Sequence, residues 1–147
     1  MKSIQLFTPL LILGLSLLCQ PVAAENNTET AADNLSLQPL ATYQEAMNFL
    51  LGRHGKPKSA EKAAELFQSL AEKNWSSAQQ MLGQLYFEGK GVEKNDLLAY
   101  KWLSLAARNN KRLAEDLDSR RRQLRSQIPA STLPQVDMWI AEWQPES

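Results

Sequence analysis

Residues 77–107, SAQQMLGQLYFEGKGVEKNDLLAYKWLSLAA, decide how the rest of the chain is read. Ala78, Leu82, Leu85 and Tyr86 fall at helical spacing, Gly89 and Gly91 interrupt the run, and Ala99, Trp102, Leu103 and Ala106 resume the same period. The pattern predicts two short amphipathic helices joined by a glycine-punctuated turn.

Moving upstream, the same character returns at a constant offset of 36 residues without a gap. Leu50 aligns with Tyr86, Gly55 with Gly91, Lys58 with Lys94, Ala63 with Ala99, Leu66 with Trp102 and Ala71 with Ala107. Small residues at Ala63, Ala71, Ala99, Ala106 and Ala107 let neighbouring helices approach closely, where larger side chains would overpack. Two hairpins of one kind follow, a degenerate copy over 41–75 and a well-formed copy over 76–110. In the first, Thr42 three before Glu45 reads as a capping box for a helix from Tyr43 to Leu51, and Gly52 to Pro57 ends it. Ser59 then caps a second helix carrying Ala63, Leu66, Phe67, Leu70 and Ala71 on one face.

Downstream, residues 111–144 read as a pair of capping helices. Lys111 to Gln127 begins like a third repeat but carries Arg120-Arg121-Arg122 and Arg125, and Ile128-Pro129 breaks it. Thr132 three before Gln135 repeats the capping-box pattern, and Leu133, Val136, Trp139, Ile140 and Trp143 make an apolar stripe suited to covering the open end. The four-residue spacing of Trp139 and Trp143 beside Val136 and Ile140 is that of a core face rather than an interface.

The other end of the chain carries an address. Ile4 to Cys19 is almost continuously apolar, follows Lys2, and at 16 residues is short for a membrane span. Pro21-Val22-Ala23-Ala24 places small side chains where a signal peptidase accepts them, so residues 1–24 read as an export leader cleaved after Ala24, with periplasmic location expected. Of the two alternatives, lipidation at Cys19 is disfavoured by bulky Leu18 before it, and retention of the leader as an uncleaved anchor stays open. Residues 25–40 are polar and without sustained period, and are expected to form a flexible linker. The leader removes the chain's one cysteine, so the exported form would have neither disulfide nor thiolate chemistry. It removes one charge, Lys2, leaving 15 Lys and Arg against 16 Asp and Glu. That balance gives no footprint for nucleic acid, and the absence of a second long apolar run gives none for a membrane once the leader is gone.

Ala78, Leu82-Gly83, Leu85-Tyr86, Gly89, Gly91-Val92, Lys94, Asp96, Ala99, Trp102-Leu103 and Ala106-Ala107 together resemble the Sel-one-like repeat, a 36-residue relative of the tetratricopeptide repeat. The first copy departs from it, with Met47 in place of the glycine of the Leu-Gly pair and Thr42 in place of the leading alanine. The resemblance implies an all-α fold, a short α-solenoid of antiparallel helix hairpins with two repeats and C-terminal capping helices. It also implies use as an adaptor in signalling, secretion or cell-envelope assembly. Relatives linked to activity on cell-wall-type substrates are cysteine-rich, a feature the exported form lacks.

The chemistry legible in the sequence is sparse. His54 is the single histidine and sits in a turn beside Arg53 with no patterned base, nucleophile or ligand. No paired-cysteine, His-x-x-x-His, phosphate-loop or nucleophile-elbow motif occurs, so no enzyme activity and no cofactor or metal is expected. Glu61 with Glu65, and Glu115 with Asp118, sit at helical spacing on faces read as solvated. The Arg120 to Arg125 run is read the same way, Asp118 lying four before Arg122.

Stacked hairpins line their inner surface with the first helix of each pair. The 36-residue offset places Gln44, Gln80 and Asp116 in one column, Asn48, Gln84 and Arg120 in a second, and Leu51, Phe87 and Gln123 in a third. Side-chain amides donate and accept together, which suits the backbone of an extended peptide, while Phe87 and Arg120 would fix an apolar and an acidic group of it. The expectation is a non-catalytic protein-interaction module of the cell envelope that binds another protein through Gln44, Asn48, Gln80, Gln84, Phe87 and Arg120. Competing classes are an enzyme acting on envelope polymers and a structural envelope component. The sequence does not specify the partner or the oligomeric state.

Overall fold

The computed structural model describes residues 27–145; the expected leader and its cleavage point lie outside the described residues. Six helices follow in order: α1 (Asn27–Leu51), α2 (Ala60–Glu72), α3 (Ser76–Glu88), α4 (Asp96–Asn109), α5 (Lys111–Gln127) and α6 (Leu133–Glu142). Each of the first four packs on the next, and α6 turns back onto α4. The result is an all-α solenoid of repeats.

Side-chain caps set the starts of α2, α4 and α5. Ser59 Oγ accepts from the Lys62 N–H at 3.2 Å, Asn95 Oδ1 from the Leu98 N–H at 3.0 Å, and Asn110 Oδ1 from the Arg112 and Leu113 N–H groups. Each satisfies an otherwise orphaned donor, worth about 1 kcal/mol. Thr132 makes no such bond, so the capping box expected there does not form. Pro134 instead fixes the first turn of α6 with its preset φ.

The first helix corrects two expectations. It begins at Asn27 rather than Tyr43, so most of the stretch read as a flexible linker is helical, with Pro39 inside it. Thr42 is therefore an interior residue, and its hydroxyl donates to the Gln38 carbonyl at 3.0 Å instead of capping. The physical reason is cooperativity. Once Tyr43 to Leu50 is packed and supplies the nucleus, adding residues upstream costs little, and the bond missing at Pro39 is a local loss.

The gapless offset of 36 is also corrected. The Ser59 N–H donates to the Phe49 carbonyl, and the equivalent bond in the second hairpin runs from the Asn95 N–H to the Tyr86 carbonyl. The helix ends behave alike, Arg53 bonding back to Asn48 as Lys90 does to Leu85. Residues before the turn are thus offset by 37 and residues after it by 36, because the first turn holds one extra residue. Ala46 then matches Gly83, and both are buried small residues. A Cβ on Gly83 would stand 2.8 Å from the Leu103 side chain and 3.2 Å from the Ala99 carbonyl oxygen, which shows how tightly α3 lies on α4.

Two apolar clusters share α4. One joins Ala46, Leu50, Ala63, Phe67, Leu70, Leu82, Trp102 and Leu105 across the two hairpins. The other joins Tyr100, Leu103, Leu117, Leu124, Ile128 and Val136 beneath the C-terminal pair. Trp139 and Trp143 are half-buried and meet Trp102 edge-on at 6.2 and 6.3 Å between ring centroids, in agreement with a covering role for α6. Arg108 secures that cover by donating to the Ile140, Ala141 and Trp143 carbonyls at the end of α6.

Candidate functional site

The corrected register rearranges the expected binding columns. With α1 and α3 offset by 37, Gln44 is equivalent to Met81 and Asn48 to Leu85. Gln80 and Gln84 in turn match Tyr43 and Met47. The N-caps of α3 and α5, Trp75 and Asn110, are 35 residues apart, so the third helix slips in the opposite sense. A shift of one residue turns a side chain by about 100° around a helix. The residues predicted to stack in three columns therefore form two separate groups.

The first group belongs to α1. Tyr43, Gln44, Met47, Asn48 and His54 line an open depression of about 600 Å³. His54 adopts a left-handed conformation, φ 52°, which returns its ring over the end of α1. There Nδ1 lies 2.9 Å from Asn48 Oδ1, so the tautomer carrying the proton on Nδ1 donates to the amide oxygen. Burial raises the Tyr43 pKa, and its ring packs edge-on against Phe67 at 5.4 Å.

The second group joins α3 and α5. Phe87 is half-buried, with the Arg120 guanidinium 4.6 Å from its ring centroid and Lys94 Nζ 5.7 Å away. Both cations are drawn to the electron-rich ring. Gln80 is half-buried, and Gln84, one turn further along α3, donates to the Glu88 carboxylate. Phe87 and Arg120 thus come together, as do Gln80 and Gln84 along one helix face, whereas Gln44 and Asn48 stay apart from them.

The remaining arginines of α5 are not simply a solvated face. Arg125 is bidentate to Asp137 on α6, 2.8 Å for each pair of atoms, and reaches the Tyr100 hydroxyl on α4 at 2.5 Å. The hydrogen bonds that the guanidinium donates to Asp137 and then to Tyr100 raise its pKa. The Arg125 hydrogen bond, outweighing partial burial, holds the Asp137 carboxyl below the usual range. Arg121 donates to the buried Ser104 hydroxyl at 3.3 Å, and Arg122 pairs with Asp118 at 2.7 Å, as the four-residue spacing predicts. Tyr100, Ser104, Arg108, Arg121 and Asp137 border a cleft of about 380 Å³ between α4 and the C-terminal pair.

Sequence reasoning missed one polar node. Gln79 is fully buried, donates to the Ala71 carbonyl at 3.1 Å and to Asn74 Oδ1 at 3.3 Å, and accepts from Asn109 at 3.3 Å. It ties the ends of α2 and α4 to the start of α3. Asn74 at φ 67° was the available signal, since asparagine tolerates that backbone region better than most residues. Among the described residues no group of three His, Cys, Asp or Glu is placed to hold a metal ion, and no helix is long and apolar enough to cross a membrane.

Comparison with known proteins gives a consistent picture. Residues 39–75 and 76–111 each match the Sel1 repeat. The first span is one residue longer than the second, as the extra turn residue requires. Among solved structures, the chain is similar to a protective antigen present in uropathogenic Escherichia coli strains and displaying an SLR fold, with a TM-score of 0.59 and 26% identity. That match covers 71% of this chain and 22% of the other, so this chain spans less than a quarter of that protein. No curated protein matches the sequence.

Proposed function

Because this chain belongs to the Sel1-repeat family, we propose that it is an exported, non-catalytic adaptor that binds an extended segment of another protein in the cell envelope. Repeats of this family generally mediate protein–protein interaction. The observation that carries the reading here is the Phe87–Arg120 pair, 4.6 Å apart and contributed by the second repeat and by the helix α5 that follows it. A half-buried aromatic with a guanidinium already over it offers an apolar wall and a hydrogen-bonding cation for an acidic group, at little ordering cost. Gln80 and Gln84 on the adjoining face of α3 supply amides for a peptide backbone, and Gln44 and Asn48 border a second depression on α1. The leader over residues 1–24 supports the periplasm as the location.

A photo-crosslinking residue placed at Gln84, and separately at exposed Glu142 as a control, tests the reading in intact cells. A discrete adduct from Gln84, lost on Phe87→Ala with Arg120→Ala and absent from the Glu142 position, is the expected result. Equal labelling from both positions would refute it. N-terminal sequencing of the periplasmic fraction should begin at Glu25; a chain retained in the cytoplasm would refute the location.

A further inference from the structure

The cleft between α4 and the C-terminal pair holds more hydrogen-bond donors than acceptors. Asp137 is the one carboxylate among its lining residues, and both of its oxygens accept from Arg125 at 2.8 Å. The Tyr100 hydroxyl accepts from Arg125 at 2.5 Å and donates to Asp137 at 3.4 Å. The Ile140 and Ala141 carbonyls accept from Arg108. The donors are not matched in this way. Ser104 is 4% exposed and its oxygen accepts from Arg121 Nε at 3.3 Å, but its own O–H reaches no acceptor among the described residues. A helical serine often gives that proton to the carbonyl four residues back, and here no such bond to Tyr100 forms. Arg121 is half-buried and uses only Nε; its two terminal amino groups make no hydrogen bond within the described residues. Neither Arg121 nor Arg108 has a carboxylate partner there.

We propose that this cleft binds a free carboxylate carried on a short apolar group, with the terminal amino groups of Arg121 taking its two oxygens and the Ser104 hydroxyl donating to one of them. The bond from Arg121 Nε to Ser104 fixes the guanidinium plane and leaves its flat end for a bidentate pair. Arg108 adds a second positive charge that is not neutralised, since its bonds all go to uncharged carbonyls. The charge of Asp137 is answered by Arg125, so it does not repel the ligand strongly. Ala107, Ile140 and Ala141 complete the lining and receive the apolar part. That wall disfavours an inorganic anion such as phosphate, which would lose water against it without compensation. At about 380 Å³ the cleft is small for a ligand pocket, with room for one residue-sized acid. The same group occurs at the chain end of a peptide and in a small free acid. The site shares no residue with the Phe87–Arg120 surface.

Nuclear magnetic resonance of the isotope-labelled, purified protein tests this with four probes: N-acetyl-alanyl-alanine, its C-terminal amide, propionate and inorganic phosphate. Over a range on the order of 0.1 to 10 mM, the dipeptide acid should shift the Arg121 Nε–H signal and the backbone amides of Ser104, Ala107 and Ile140, and saturate. The amide should bind at least roughly tenfold more weakly, because it lacks the charge that Arg121 pairs with. Tighter binding of the dipeptide acid than of propionate identifies a peptide end as the source, and equal or tighter binding of propionate identifies a small acid; either result supports the cleft. Equal binding of acid and amide, tighter binding of phosphate than of both carboxylates, or no saturable shift at these positions would overturn it. Arg121→Gln and Ser104→Ala should each weaken the dipeptide acid roughly tenfold. Arg122→Gln, at a neighbour paired with Asp118, should leave it unchanged. The acid–amide comparison uses the unaltered protein, so it decides the matter whether or not the variants fold. Crosslinking from Gln84 reads a different surface, so failure here leaves the adaptor reading standing.

Discussion

A Cβ built on Gly91 would stand 2.2 Å from both the carbonyl carbon and the carbonyl oxygen of Ala60, so the turn of the second hairpin is seated directly on the first residue of α2. Gly55, its counterpart in the first hairpin, has a similar φ of 71° and nothing within 4 Å. The first turn faces open space where the second faces a neighbouring repeat.

The two glycines should accordingly respond differently to alanine. Gly55→Ala incurs only the left-handed backbone penalty, about 1 kcal/mol. Gly91→Ala adds a clash with backbone that cannot rotate away, for a total of about 3 kcal/mol or more. Urea denaturation of the two variants checks the ordering.

Removing the buried amide of Gln79 should loosen the junction between repeats. Gln79→Leu is expected to lower stability by about 1–3 kcal/mol, because Asn74 and Asn109 lose a shared partner while the Ala71 carbonyl keeps the Asn74 N–H. Hydrogen exchange should quicken at the end of α2 and the start of α3 before it does in α5.

The Arg125–Asp137 pair gives the stability a weak acid dependence. The folded-state carboxyl pKa is depressed, so the contribution is fully present above the ordinary aspartate value of 3.8 and is lost as pH falls through the lower folded value. Both side chains are 43% exposed, so solvent screens the pair and a double-mutant cycle should return about 1 kcal/mol at neutral pH. Asp137→Asn should reduce the acid dependence of the denaturation midpoint below pH 3.8.

Trp139 closes the end of the solenoid over Trp102, with Lys101 Nζ 3.8 Å above its own ring. Trp139→Ala should destabilise by about 2–3 kcal/mol, less than a fully buried tryptophan because the ring is half-exposed. Near-ultraviolet circular dichroism should lose the signal of the coupled indoles before far-ultraviolet helicity falls.

Much of the fold was legible because the signals that specify it are local. Ser59 caps α2, α5 runs from Lys111 to Gln127, and Asp118 pairs with Arg122, all as the sequence predicts. The binding face was less legible. One extra residue in a polar turn changes neither composition nor periodicity, yet it rotates every α1 side chain by about 100° relative to α3, and that separated Gln44 and Asn48 from Gln80 and Gln84.

By itself, then, the sequence determined the helices, the repeat and the capped end, because capping, glycine turns and apolar spacing act within a few residues. Only the tertiary structure decided register and partners. Arg120 meets Phe87 across 33 positions and Gln79 meets Asn109 across 30, contacts set by how helices pack and not by any neighbouring residue in the chain. The glycine turn that opens the second hairpin shows both halves: its conformation is a local consequence of Gly89 and Gly91, and its fit against Ala60 is a property of the stack.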